Sequence, residues 1–444
     1  MEAKVLDPIK IAVIAPTGAG KTALISTVCD YIKMTTNKAK GYTLEIENSA
    51  AQEMNKFKIA VSAQLAGQNM SFESALVEPT KDPTVYKFSM NFTDKTSGIS
   101  IKQPFDIMDI PGAFINNPLN YTDDDKYQKF VSHLDTSRIL WIPIDTPILM
   151  ECETSNEKSM SDLIRCTPNL MDFCVEWAQF AAENGKLDFC NFVFIKCEKY
   201  FSHDILNEYN GCMKRFDEAY GSIIRAIKNQ NTDDKLACVA VETIGSAKAN
   251  NGFWSDKGFK CEYVATGKER VIRGVDCLLK DALLVAINNI NAEIDLQKAA
   301  KESDKTKYNA HLKVLIDEQN QKIREMENKK NELENKTNEM YRTKRKVEDA
   351  GILEVIIAAL LKPFGVGNLN ELKEKIRNIE AHRLSLITEI EREKNKLDEL
   401  HERVNVVKNN VANVEQEIYA LDNVKEWFYG LSAGNSDSKY YRSL

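Results

Sequence analysis

The chain has 444 residues, 43% of them hydrophobic and 28% charged, with a formal net charge of -7. That length holds two or three domains and at least one buried core, and the composition excludes a disordered chain. The acidic balance, with no concentrated basic patch, excludes a general attraction to nucleic acid, so no nucleic-acid partner is expected.

In chain order the first element is an apolar strand, Ile9–Ala15, which runs through a glycine-rich loop into the helical stretch Ala23–Lys33. The loop reads Ala15, Pro16, Thr17, Gly18, Ala19, Gly20, Lys21, Thr22. Strand, loop and helix in that order are the context in which this spacing cradles a polyphosphate. Gly18 and Gly20 let the backbone curl so that its N–H groups face the phosphates. Lys21 reaches the β- and γ-phosphate oxygens, and the Thr22 hydroxyl ligates magnesium. Pro16 to Ala23 are therefore the expected phosphate-binding residues, with Mg2+ as cofactor.

Two strands follow, Thr84–Phe92 and Pro104–Ile110, joined by a linker too short for a crossover helix. They must form an antiparallel pair. The second ends in Asp109-Ile-Pro-Gly112, at the carboxyl end of a strand where α/β sheets place ligands. Asp109 is placed to hold magnesium through a water, and the Gly112 N–H to sense a γ-phosphate. Ile139–Asp145, Phe192–Lys196 and Cys238–Thr243 complete six strands. The prediction is an α/β, P-loop nucleoside-triphosphatase domain over residues 1–290, with a mainly parallel six-stranded sheet and one antiparallel strand.

With these motifs in order, the chain resembles the translation-factor-related class of P-loop GTPases, which includes Ras-like, septin-like and dynamin-like families. The resemblance implies GTP as ligand and a switch threonine ahead of the antiparallel strand. That threonine completes the magnesium shell, and here it is Thr80, preceded by proline, in preference to Thr84. It further implies base reading at Phe194-Ile-Lys196-Cys-Glu198, where Lys196 covers the base and Glu198 accepts from guanine. This sequence departs from the class there, with Ile195 for a polar residue and glutamate for aspartate. Ser246, Ala247 and Lys248 stand where the class has its final backbone contact to guanine. Many members carry a water-orienting glutamine directly after Asp-x-x-Gly. Here that position is Ala113, with Asn116 and Asn117 nearby, so no resident water-positioning residue is identified and turnover is expected to be slow or supplied by a partner.

Beyond residue 295 the composition turns to long charged helices. Apolar 4-3 spacing from Leu312, and more cleanly from Leu369 to Phe428, predicts a long antiparallel coiled-coil hairpin over 291–429. Its apolar tip lies at 351–367, where glycines and Pro363 mark the reversal, and a flexible tail is expected at 430–444. The hairpin is read as a surface for a protein partner or self-association. Its tip has two readings, a cap packed on itself or a weak peripheral membrane contact. The ten cysteines are scattered singly, the usage of a reduced compartment. No run approaches the ~20 apolar residues of a spanning helix, and no signal peptide is seen, so a cytoplasmic protein is expected. The functional expectation is a GTP-binding, slowly hydrolysing switch or mechanochemical protein. An ATPase and a nucleotide-stabilised scaffold are the alternatives.

Overall fold

The computed structural model describes residues 4–35, 42–47, 71–73, 80–93, 100–151, 169–180, 188–200, 205–230, 235–243, 247–255, 258–265, 272–360, 368–432 and 440–444. The chain divides into two compact units, Met1–Ile294 with Asn423–Leu444, and Asp295–Asp422. The boundary thus falls at 294 and not 290, and the last turns of the second long helix belong to the first unit.

The first unit is built on a nine-stranded sheet. Its strands are β1 (Lys4–Val5), β2 (Ile9–Val13), β3 (Tyr42–Ile46), and then, after β4 (Ser71–Glu73) of a second sheet, β5 (Thr84–Thr93) and β6 (Ser100–Asp109). They continue with β7 (Ser137–Asp145), β8 (Phe189–Ile195) and β9 (Lys235–Val241). β10 (Ala247–Ser255) and β11 (Gly258–Ala265) join β4 in the three-stranded second sheet, and β12 (Tyr441–Ser443) returns to the first. The order across the large sheet is β12-β9-β8-β7-β2-β6-β5-β3, with β1 beside β6.

Neighbours from β6 to β9 are parallel, whereas β5–β6, β3–β5 and β12–β9 are antiparallel. Every residue of β8, Phe-Cys-Asn-Phe-Val-Phe-Ile, is buried. A central parallel strand covered on both faces demands such a near-continuous apolar run, interrupted here by Asn191. β6 instead alternates over Ile101, Gln103, Phe105 and Ile107 before burying its whole end. Phe105 stacks on its cross-strand partner Phe88 at 4.6 Å between ring centroids, a pairing that favours this register.

Among the described residues the large sheet has nine strands where six were expected. β1 is too short to carry a periodic signal, and β3 lies in a stretch that offers no pattern. β12 overturns the flexible-tail expectation for its own residues. Tyr441 pairs with Val239 and Ser443 with Ala237, and Ala240 N–H donates to Tyr440 O at 3.0 Å. The physical reason is the edge of β9, whose unpaired backbone groups are covered by this short strand. Residues 433–439 lie outside the described residues.

The helix Val275–Leu360 begins in this unit, and its Asp281 is buried against β8. Asn191 Nδ2 donates to Asp281 Oδ2 at 2.9 Å. Burial pushes the Asp281 carboxyl up to about 7.

The second unit pairs the rest of that helix with the part of the helix Asn368–Ser432 that ends at Asp422. The two run antiparallel, because Lys301 meets Glu417, Lys329 meets Glu389 and Lys344 meets Glu380. Leu315, Leu400, Val404 and Val407 form a buried cluster with Tyr308, Leu312 and Ile316 against it. Leu315 is the most buried first-arm residue of that cluster, although the 4-3 spacing runs through Leu312 and Ile316 instead. Gly351 does not break the helix, which continues to Leu360. The remainder of the expected tip, 361–367, is outside the described residues.

Candidate functional site

The carboxyl ends of β2, β6, β7 and β8 converge on the phosphate-loop segment. β2 stops at Val13 and the helix Lys21–Thr35 starts at Lys21, leaving seven residues for the turn. Gly18 and Gly20 take φ of +83° and +95°, a region where a side chain would be strained. Lys21 is buried and its ammonium donates to Ala15 O at 2.8 Å and Pro16 O at 3.1 Å. Burial lowers its pKa to about 8, with the nearby Asp109 charge opposing the shift.

Three oxygen-bearing side chains meet beside this lysine. The Thr22 hydroxyl donates to Asp109 Oδ2 at 2.6 Å, and the Thr80 hydroxyl approaches the same oxygen at 3.2 Å. The two hydroxyl oxygens lie 3.1 Å apart. Asp109 is 1% exposed, and its other oxygen, Oδ1, is buried with no hydrogen-bond partner. Burial raises the Asp109 carboxyl, and bonds from Thr22 and Thr80 and the Lys21 charge pull it back. A hard divalent cation fits this donor set, which is oxygen only and has one buried acceptor unused. Among the described residues, no group of three or more His, Cys, Asp or Glu side chains offers another metal site.

Gly112 is packed on the loop itself. A Cβ there would come 2.3 Å from Thr17 N and 2.7 Å from the Pro16 carbonyl carbon. Only glycine permits that approach, and it places the Gly112–Ala113 turn directly against the phosphate loop. The short helix Ala113–Asn116 follows. Asn116 Oδ1 accepts from Thr17 N–H at 3.4 Å.

On the other flank, Lys196 follows β8 in the left-handed region at φ +54°. Its backbone N–H donates to Thr243 Oγ1 at 3.1 Å, and its ammonium is ion-paired with the half-buried Asp145 at the end of β7. The stem crosses the loop: a Cβ on Gly20 would lie 3.3 Å from Lys196 Cε and 2.5 Å from Ile195 Cδ1. The apolar residue at 195 therefore packs against the phosphate loop. Glu198 is half-buried just beyond. Thr27, on the helix after the loop, donates to Thr243 O at 3.2 Å, tying the ends of β9 and the loop helix together.

The structure thus gathers Thr22, Thr80 and Asp109 beside Lys21, sets Gly112 against Pro16 and Thr17, and lays Lys196 over Gly20. Ser246 lies outside the described residues, and Ala247 and Lys248 open strand β10 instead of continuing a loop. Residues absent from the sequence reading are Asp145, Thr243 and Asn169, whose Nδ2 donates to Ile115 O at 3.0 Å and Asn116 O at 3.2 Å. Nothing in local sequence marks them, because each acts on a residue about 50 positions away.

No family model matches the chain, and no curated protein matches it. Among solved structures, it is similar to the signal recognition particle receptor SRb-GTP/SRX complex from Chaetomium thermophilum. That match has 10% identity and a TM-score of 0.30 and covers 53% of this chain and 94% of the other. It is also similar to a structure of an oligomerised bacterial dynamin pair, at 11% identity and a TM-score of 0.24, over 96% of this chain and 70% of that one. Likenesses this weak carry no argument about activity, which rests on the site.

Proposed function

We propose that the first unit is a GTP-binding, GTP-hydrolysing domain that works as a switch or mechanochemical element, with the second unit as its antiparallel coiled-coil stalk. The observation that carries the reading is the convergence of Thr22 and Thr80 on the buried Asp109 carboxylate, which has an unused oxygen, beside Lys21. Such an arrangement suits a triphosphate and its magnesium ion. Thr22, Thr80 and, through water, Asp109 would hold Mg2+, which when bound neutralises charge on the β- and γ-phosphates.

The loop N–H groups of residues 18–23 and the Lys21 ammonium then grip the phosphates, and Gly112 N–H donates to the γ-phosphate. Lys196, held by Asp145, covers the base, while Glu198 accepts from guanine and the 246–248 segment gives its backbone to the guanine oxygen. A stalk of this kind offers a surface for a protein partner or a second copy, and its 351–367 tip for a membrane surface. No helix among the described residues is long and apolar enough to cross a membrane.

Titrating the full chain with GTP and ATP, with Lys21→Ala as control, tests this reading. Binding of GTP that Lys21→Ala abolishes supports it. Preference for ATP moves the reading to an adenine nucleotide, which the imperfect base loop Ile195–Glu198 allows. No binding of either removes it.

A further inference from the structure

A GTPase of the kind proposed needs a group to orient the attacking water, and Ala113 cannot serve. We infer that Asn116 is that group, a reading that rests on the nucleotide site proposed above.

The geometry brings the Asn116 carboxamide to the phosphate end of the loop. Its Oδ1 accepts from the N–H of Thr17, the residue against which Gly112 is packed. The polar side chains from outside the loop segment that bond to it, among the described residues, are then Thr80, Asp109 and Asn116. The first two face the magnesium position, and Asn116 alone reaches Thr17. Asn116 is also held from behind. Its backbone N–H donates to Gly112 O at 3.1 Å, closing the single turn that follows the glycine. Asn169 clamps the carbonyls of Ile115 and Asn116 from the helix over 169–180. Phe114, one turn face away, is fixed among Tyr121, Tyr127 and Phe130. This support is what a positioning group requires, since about 1 Å of misplacement costs on the order of a hundredfold in rate.

The chemistry follows from the carboxamide. Its carbonyl oxygen accepts one hydrogen of a water, and its N–H2 donates to a γ-phosphate oxygen, so the water's lone pair is aimed at phosphorus. The water oxygen forms the new P–O bond as the bond from γ-phosphorus to the β–γ bridging oxygen breaks. The electron pair leaves with GDP, and the water proton passes to a γ-phosphate oxygen, giving inorganic phosphate. Asn116 is not a base and takes no proton.

The test uses the full chain in single-turnover GTP hydrolysis, alongside titration with a non-hydrolysable GTP analogue. Asn116→Ala is expected to lower the hydrolysis rate by about a hundredfold with the melting temperature unchanged and analogue affinity down by about tenfold for the lost γ-phosphate bond, and Asn116→Gln to restore part of the rate. In Asn116→Asp an ionised carboxylate faces the γ-phosphate. Its rate relative to Asn116→Ala should therefore rise as pH falls and the carboxyl regains its proton. Parent-like turnover in Asn116→Ala overturns the inference, as does a parent that binds the analogue but never hydrolyses GTP. Failure of the parent to bind nucleotide is the separate result that removes the reading beneath it.

Discussion

Adding one methyl group to Gly112 probes the link between the phosphate loop and the segment that follows β6. The new Cβ would meet Thr17 N at 2.3 Å, Thr17 Cα at 2.4 Å and the Pro16 carbonyl carbon at 2.7 Å. All three are backbone atoms, so no rotamer change relieves the clash. Carbon contacts are comfortable from about 3.5 Å, and the two segments must therefore separate by about 1 Å. That shift pulls the Gly112 N–H out of reach of a γ-phosphate, and a hydrogen bond to a charged group is worth roughly 1.5–3 kcal/mol. The expected loss is about ten- to a hundredfold in affinity for a triphosphate, with much less for a diphosphate, which still has Lys21 and the loop N–H groups. Calorimetric titration of Gly112→Ala and parent with GDP and a non-hydrolysable GTP analogue reads both constants. A triphosphate-to-diphosphate preference unchanged in a folded Gly112→Ala refutes the reasoning. Equal weakening of both ligands refutes it too, since the clash would then act on the loop and not on γ-phosphate sensing.

Three further outcomes follow from the packing. Burial holds Lys21 at a pKa of about 8, below its ordinary 10.5. Below pH 8 folded and unfolded chains both carry the proton and the folded state bears the full penalty. From there to the unfolded value the folded chain sheds it, so stability at this site rises with pH. Lys21→Met should therefore melt above the parent at pH 7, by on the order of 3 kcal/mol, and the gap should shrink by pH 9.5; a constant gap in paired melts refutes this. Asp145→Ala leaves the Lys196 ammonium buried without its carboxylate and should cost about 3–5 kcal/mol in denaturant unfolding, much of it recovered by adding Lys196→Met. In the helical hairpin, Leu400→Ala opens a cavity in the Leu315–Val404–Val407 cluster and should cost about 2–5 kcal/mol. Lys305→Ala removes only a half-exposed ion pair with Glu415 and should cost under about 1 kcal/mol; circular-dichroism melts rank the two.

Sequence carried far where one residue type answers one local demand. Gly18 and Gly20 announce positive φ, and the apolar runs of β8 and β9 announce strands covered on both sides. Thr80, preferred over Thr84 because proline precedes it, lies within hydrogen-bond distance of Thr22 and Asp109, whereas Thr84 hydrogen-bonds to Asp82 O. What stayed hidden depends on partners far along the chain. Ile195 reads as a lost polar contact until Gly20 is seen beneath it, and Asn116 reads as a loop residue until Thr17 is brought to it. The 4-3 spacing runs through Leu312 and Ile316, but side-chain direction across the helix pair puts the deeper burial at Leu315. β12 has three residues and no periodicity, and only the open edge of β9 explains it.

That short strand has a consequence for the order in which the molecule is made. Roughly 200 residues, including both long helices, separate the end of β9 at Val241 from Tyr441. At about 5–20 residues per second, a ribosome needs some 10–40 s to cross that interval. Throughout it the sheet is otherwise assembled while the β9 edge stays uncovered. The nascent chain therefore carries, for tens of seconds, a strand edge able to accept a foreign strand, and the return of the chain through the hairpin is what retires it.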